Sequence, residues 1–139
     1  MQLRKAIGTA IGLILCLGGS VLGVTVAEMT DITFNDAEVV GFTLKKGAEI
    51  EIEAVGIRHS LSKSMAAYAW IIDADTRELV WEMRSRSTDR VKGNKALRRQ
   101  DDVQFLEAGS YELYYTAGKN RFWSGSDAVS YTHLRAHET

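Results

Sequence analysis

The chain has 139 residues, a hydrophobic fraction of 45% and a formal net charge of −1. This length allows one domain, and the balance of 17 basic and 18 acidic residues excludes the strong positive charge that is typical of nucleic-acid-binding proteins. Cys16 is the only cysteine, so no disulfide is expected in the domain and its stability must come from burial of apolar surface.

The first 27 residues have the pattern of an export signal, in which two basic residues precede an uncharged run over residues 6–27. The small side chains of Thr25 and Ala27 favour cleavage before Glu28. Gly23 is a second candidate. The same run is long enough to cross a bilayer as an uncleaved helix. We therefore expect a signal peptide or an N-terminal membrane anchor helix, with this run as the part that contacts a membrane.

Alternation with a period of two predicts strands in the segments that follow. In "AEIEIEAVG" (residues 48–56), apolar side chains alternate with Glu49, Glu51 and Glu53, which is the pattern of a strand with one solvated face. A row of glutamates can also bind calcium or a cationic partner, but such rows are more often the solvated side of a sheet. The preceding "AEVVGFTL" predicts another strand, and "KKG" between the two predicts a hairpin.

A second hairpin is predicted from "MAAYAWIIDADTRELVWEM", in which two apolar segments flank a polar interval from Asp73 to Glu78. Asp and Thr favour a turn there because their side-chain oxygens accept hydrogen bonds from nearby backbone amides. Asp73 and Asp75 also have the spacing of a partial calcium loop, but its glycine and distal glutamate are missing. The first strand is apolar on both faces, which places it in the middle of a sheet.

The polar stretch "RSRSTDRVKGNKALRRQDD" has no clean periodicity and predicts a long loop, which is either functional or mobile. Its basic residues are opposed over residues 84–99 by Asp89 alone. Guanidinium groups suit phosphate groups, anionic lipid and acidic glycans, so the cluster is the candidate binding site, with a solvated loop as the alternative. The cluster consists of Arg84, Arg86, Arg90, Lys92, Lys95, Arg98 and Arg99.

Period two returns in "VQFLEAGSYELYYTAG", with a turn at "EAG". About six strands joined by hairpin turns, with no convincing helix after the signal, predict an all-β fold, an antiparallel β-sandwich. Tyr114 is predicted to lie opposite the face shared by Tyr111 and Tyr115, and Trp123 lies near the chain end. Exposed aromatic residues of this kind can stack on sugars, although they fill cores and edges more often.

The stretch from "GFTLKKGAEIEIEAVG" through "YAWIIDADTRELVWEM" to "LEAGSYELYYTAGKN" resembles a module of uncharacterised bacterial envelope and secreted proteins with a jelly-roll or immunoglobulin-like sandwich. The resemblance covers about residues 41–120, implies a periplasmic or extracellular location and brings no catalytic residue. Sandwiches of this kind continue with further strands, whereas the tail "DAVSYTHLRAHET" resembles translated sequencing-adapter sequence and shows no apolar periodicity. We therefore expect residues 28–126 to form a sandwich truncated at its C-terminus and residues 127–139 to be a non-native tail.

No catalytic, metal-binding or cofactor-binding constellation emerges from the sequence. His133 and His137 stand four residues apart, but Leu134 occupies the position at which a zinc-protease helix carries its catalytic glutamate. His59 lies close to three serines, yet no Gly-x-Ser-x-Gly motif surrounds any of them. We expect no enzymatic activity, no metal and no cofactor.

These observations predict an exported, envelope-associated binding or interaction module without catalytic activity of its own. Its expected partner is an envelope component, an anionic glycan or a protein, and not nucleic acid. Two alternatives remain open at this point. The first is that the chain is an accessory domain fragment of a larger secreted hydrolase. The second is that it is a structural protein held in the membrane by its N-terminal anchor.

Overall fold

The computed structural model describes residues 23–30, 37–117 and 131–137. These ranges contain antiparallel strands and one short 3₁₀ turn at Ser85–Ser87, with no α-helix and therefore no helix that could span a membrane. The predicted all-β antiparallel class is confirmed. The strands are β1 Val24–Met29, β2 Ala37–Leu44, β3 Ala48–Arg58, β4 Met65–Asp73, β5 Leu79–Glu82, β6 Asp89–Val91, β7 Asn94–Leu106, β8 Gly109–Ala117 and β9 Tyr131–His137.

The strands form the two layers of a β-sandwich. The first layer has the order β1-β9-β3-β7-β6, and the second has the order β2-β8-β4-β5. The layers join at one corner, where Ile57 and Arg58 at the end of β3 pair with the beginning of β4. As predicted, β4 lies inside a layer, between β8 and β5.

The core lies between the layers and follows the alternation read from the sequence. Ile50 and Ile52 of β3 are completely buried, as is Leu113 of β8, while the glutamates between them on β3 face outward. The Tyr115 hydroxyl on β8 donates a hydrogen bond across the core to the Val55 carbonyl on β3 at 2.8 Å. The sandwich thus combines apolar burial with a polar link between its two layers.

The turn after β4 forms as the sequence predicts. Asp73 Oδ1 accepts hydrogen bonds from the backbone amides of Asp75 at 2.8 Å and Thr76 at 3.0 Å. These bonds, first that from Thr76 and then that from Asp75, lower the pKa of the Asp73 carboxyl. Arg77 completes the turn with a backbone φ of 64°. The Asp-Thr chemistry therefore builds a turn, which was the preferred interpretation of this segment.

The predicted hairpin between β2 and β3 is wrong. β2 pairs with β8 along its whole length, and β3 pairs with β7 and β9. The "KKG" segment carries the chain from one layer to the other instead of joining two neighbouring strands. The alternation in each strand specifies which face is buried, and it does not specify which strand lies alongside.

The prediction of a long loop over the basic segment is also wrong. After the 3₁₀ turn, β6 and β7 form a hairpin in which Arg90 pairs with Arg98. Gly93 adopts a φ of +88° at its turn, a backbone conformation that glycine reaches without steric cost. Both faces of this hairpin carry polar side chains. The sequence therefore shows no alternation of apolar and polar residues, although the segment forms strands.

Part of the tail is integrated into the first layer, although the sequence shows no apolar periodicity there. β9 lies between β1 and β3, and Thr132, Leu134 and Ala136 are buried. The inward-facing set is short and mixed in polarity, which explains why no pattern is visible. The Thr132 hydroxyl has no hydrogen-bond partner in the described part of the chain. The non-native origin of residues 127–139 stays a prediction.

The predicted N-terminal segment is only partly covered. Its residues 1–22, with the proposed signal or anchor helix, lie outside the described residues, as do Trp123 and Glu138. The predicted boundary before Glu28 falls inside β1, which begins at Val24. Cleavage at the second candidate, Gly23, would leave β1 whole.

We expect Leu134→Ala to lower the free energy of unfolding by about 2–5 kcal/mol, because it leaves a cavity beside β3. Arg135→Ala is the matched control on the same strand, since Arg135 is exposed and should change stability by about 0.5 kcal/mol or less. Urea denaturation measures both. Equal midpoints for the two variants would place the tail outside the fold.

We expect Tyr115→Phe to lower the free energy of unfolding by about 1–3 kcal/mol, because it removes the buried hydroxyl that donates to the Val55 carbonyl. The matched control is Tyr68→Phe, which removes a hydroxyl from a partly exposed ring and should leave the thermal midpoint nearly unchanged. A neutral Tyr115→Phe would contradict the link between the layers.

Candidate functional site

The predicted basic residues lie on one edge of the sandwich. The 3₁₀ turn, β6 and the first part of β7 carry them, and we call this segment the basic hairpin (residues 84–99). Four of its cations are exposed, and none of them forms an ion pair with another described residue. These four are Arg86, Arg90, Lys92 and Lys95.

Arg98 differs from its neighbours because its side chain points into the sandwich and is only 7% exposed. Its Nε donates to Thr88 Oγ1 at 2.9 Å, and its Nη2 donates to the Thr88 carbonyl. The Thr88 hydroxyl in turn donates to the Ser85 carbonyl at 2.8 Å. The 3₁₀ turn thus positions Thr88, and Thr88 holds the guanidinium in one orientation.

Three arginines come together around this point. Arg90 lies directly across from Arg98 on the hairpin, and Gly56, two residues before Arg58, is paired with Arg98 on its other side. Burial lowers the pKa of the Arg98 guanidinium, repulsion from Arg58 and Arg90 lowers it further, and Asp89 offsets part of this shift. In the described part of the chain no carboxylate lies within ion-pair distance of these three groups. An anion bound here would relieve their mutual repulsion.

Two arginines of the predicted basic cluster already form ion pairs with carboxylates of the protein. Arg84 Nε lies 2.8 Å from Glu82 Oε1, and Arg99 Nε lies 2.9 Å from Asp101 Oδ2. Arg99 Nη2 also lies 3.3 Å from Glu53 Oε1. Both arginines are therefore paired on the surface and contribute less to an anion site than the sequence implied.

Arg58 is the site residue that the sequence missed. It stands in "GIRHS" at the end of β3, far from the basic cluster in the chain, and no local motif marks it. Only the pairing of β3 with β7 brings it to Arg98. Knowledge of that strand pairing would have been the one signal able to find it.

The remaining sequence candidates are dispersed. His133 lies 3.6 Å from Glu28 Oε1, and His137 bonds to Glu51, so each histidine of the tail has a different acidic partner. No group of three possible metal ligands occurs among the residues with described positions. His59 and the serines near it occupy the loop before β4, whereas Asp73 ends that strand, so they do not form a triad.

No protein-family model matches the chain, and no curated protein matches its sequence. Among solved structures, the chain is similar to the pre-peptidase C-terminal domain of a collagenase from Bacillus anthracis. The two are 14% identical, the match covers 83% of this chain and 89% of that one, and the TM-score is 0.44. A likeness this distant says nothing about the ligand of this chain, so the proposals below rest on its own residues.

Proposed function

We propose that the chain is an exported binding module, without catalytic activity of its own, that holds acidic groups of a cell-envelope glycan at the basic hairpin. The observation that carries this proposal is the cluster of Arg58, Arg90 and Arg98, which has no carboxylate within ion-pair distance in the described part of the chain. Repulsion among these three cations, which Asp89 offsets only in part, destabilises the folded protein, and a bound anion would reduce it.

The geometry suits carboxylate, phosphate or sulfate groups. A guanidinium group binds such an anion through two parallel hydrogen bonds. An arginine side chain whose orientation is already fixed loses little conformational entropy when it binds. Thr88 fixes Arg98 in this way. The exposed charges of Arg86, Lys92 and Lys95 extend the positive field along the edge and would attract further acidic groups of the same polymer.

A polymeric glycan fits this edge better than nucleic acid does. The whole chain carries a net charge of −1, so it lacks the overall positive charge of a nucleic-acid-binding protein, and the hairpin is a local cluster of positive charge. Acidic groups spaced along an envelope glycan require only such a local site. If the chain is an accessory domain of a larger secreted hydrolase, the hairpin would hold that enzyme on its polymer in the same manner.

We expect Arg90→Glu to weaken binding to polygalacturonate by about tenfold or more, equivalent to about 1.4 kcal/mol. Lys45→Glu is the matched control, because it makes the same charge change at the opposite end of β3 and should leave affinity nearly unchanged. Neutral dextran serves as the blank polymer in isothermal titration. Equal losses for the two variants, or no binding to polygalacturonate or to a phosphate-bearing teichoic acid, would refute the proposal.

Thr88→Val tests positioning separately from charge. The variant removes the acceptor of Arg98 Nε and should weaken binding by about 1 kcal/mol, roughly fivefold, while the salt dependence stays the same because no charge is lost. Ser87→Ala, an exposed neighbour, is the control. A changed salt slope would show that Thr88 does not act through the orientation of Arg98.

A further inference from the structure

The outer side of the second layer carries a row of three aromatic rings, of which Tyr68 also packs partly against the core. Trp70 of β4 lies directly across from Tyr114 of β8, with ring centroids 5.3 Å apart and planes 5° from parallel. Tyr68 stands two residues before Trp70, and its ring centroid lies 5.4 Å from that of Trp70. All three rings are partly exposed. We call this surface, together with Val39 and Gly41 of β2, the aromatic face.

A polar frame borders the rings. The Tyr114 hydroxyl donates to Glu112 Oε2 at 2.6 Å, and Arg77 Nη1 donates to the same oxygen at 2.8 Å. Arg77 Nη2 also lies 3.3 Å from the Tyr114 hydroxyl. The hydrogen bond from Tyr114 lowers the pKa of Glu112, and Arg77 lowers it further, so the carboxylate stays ionised at neutral pH. The frame therefore presents a fixed acceptor and a fixed donor beside the rings.

The backbone of Arg77 belongs to the turn after β4. Its φ of 64° lies in the left-handed region, where a residue with a side chain is disfavoured and glycine would fit more easily. The side chain placed there reaches across to Glu112 and Tyr114. The turn therefore places the Arg77 guanidinium beside the aromatic rings.

Gly41 leaves open space where a side chain would stand next to this frame, and we call this space the trough. It lies opposite Glu112 in the register of β2 and β8, and it is exposed. A Cβ placed there would come no closer than 3.8 Å to any atom outside its chain neighbours, the nearest being the Tyr111 carbonyl oxygen. Packing does not require glycine at this position, and glycine in a strand lowers stability. The missing side chain leaves the Glu112 carboxylate accessible from the side of β2.

The charges on the aromatic face cancel in pairs. Arg77 is paired with Glu112, and Arg84 is paired with Glu82 at the neighbouring edge. The face therefore offers hydrogen-bonding groups without a net field, in contrast to the basic hairpin. The core of a protein–protein interface is depleted of charged residues, whereas this face has ion pairs beside its rings.

We propose that the aromatic face binds an uncharged glycan chain through its pyranose rings. The axial C–H groups of a pyranose carry partial positive charge and pack on the negative face of an aromatic ring, here the face of Tyr114 that is turned away from Trp70. Its hydroxyl groups both donate and accept, so one sugar can donate to Glu112 and accept from Arg77 in hydrogen bonds strengthened by charge. This site is independent of the basic hairpin and goes beyond the function proposed for it.

The test measures migration of the full chain in native gels containing an uncharged polysaccharide, with β-1,3-glucan, hydroxyethylcellulose and galactomannan as the probes. We expect retardation in at least one gel and an affinity about tenfold lower for Trp70→Ala. Phe105→Ala is the matched control, because Phe105 is a 56% exposed aromatic residue on the first layer. Its variant should be retarded like the unmodified chain.

A second variant distinguishes a loss of binding from a loss of folding stability. Gly41→Val fills the trough with a strand-favouring side chain, so it should preserve or raise the thermal midpoint while it weakens binding about tenfold. No retardation in any gel, equal losses for Phe105→Ala and Trp70→Ala, or undiminished binding by Gly41→Val would overturn the proposal. Self-association that Trp70→Ala abolishes, in place of retardation, would assign the face to a second copy of the chain. Arg90→Glu should not alter migration in these gels, which separates this inference from the function of the hairpin.

Discussion

The fold depends on burial between two layers that no disulfide connects. Each layer turns one set of alternate side chains inward, and the central strands β3, β4 and β8 supply completely buried residues such as Ile52, Ile71 and Leu113. That burial decides which side chains face outward. The glutamates of β3 and the aromatic row of β4 and β8 lie on the surface because their neighbours along the strand occupy the core.

The two candidate surfaces differ in whether their arginines are paired with carboxylates. On the basic hairpin, Arg98 is buried and held by a threonine instead of a carboxylate, and Arg58 and Arg90 add repulsion. On the aromatic face, each arginine has a carboxylate partner, as Arg77 has in Glu112. An uncompensated cluster gains most from an anion, whereas a neutral face with paired donors and acceptors gains most from hydroxyl groups and apolar C–H groups.

The sequence identified part of the candidate site. It located the basic segment, because a run of like charges is visible without any knowledge of the fold. It does not distinguish Arg84, which is paired with Glu82, from Arg90, which has no ion pair in the described part of the chain. It also missed Arg58, since that residue reaches the hairpin only through the pairing of two strands. Charge is a property of one residue, but its neutralisation depends on a neighbour.

The sequence by itself determined the all-β class, the buried face of β3, the central position of β4 and the turn at Asp73, because each follows from local alternation or from contacts within a few residues. Tertiary structure alone decided that β2 pairs with β8, that β7 pairs with β3 and that β9 enters the first layer. The physical reason is that period two fixes the direction of a side chain relative to the sheet. The neighbouring strand is chosen by packing across the whole core, which no local pattern contains.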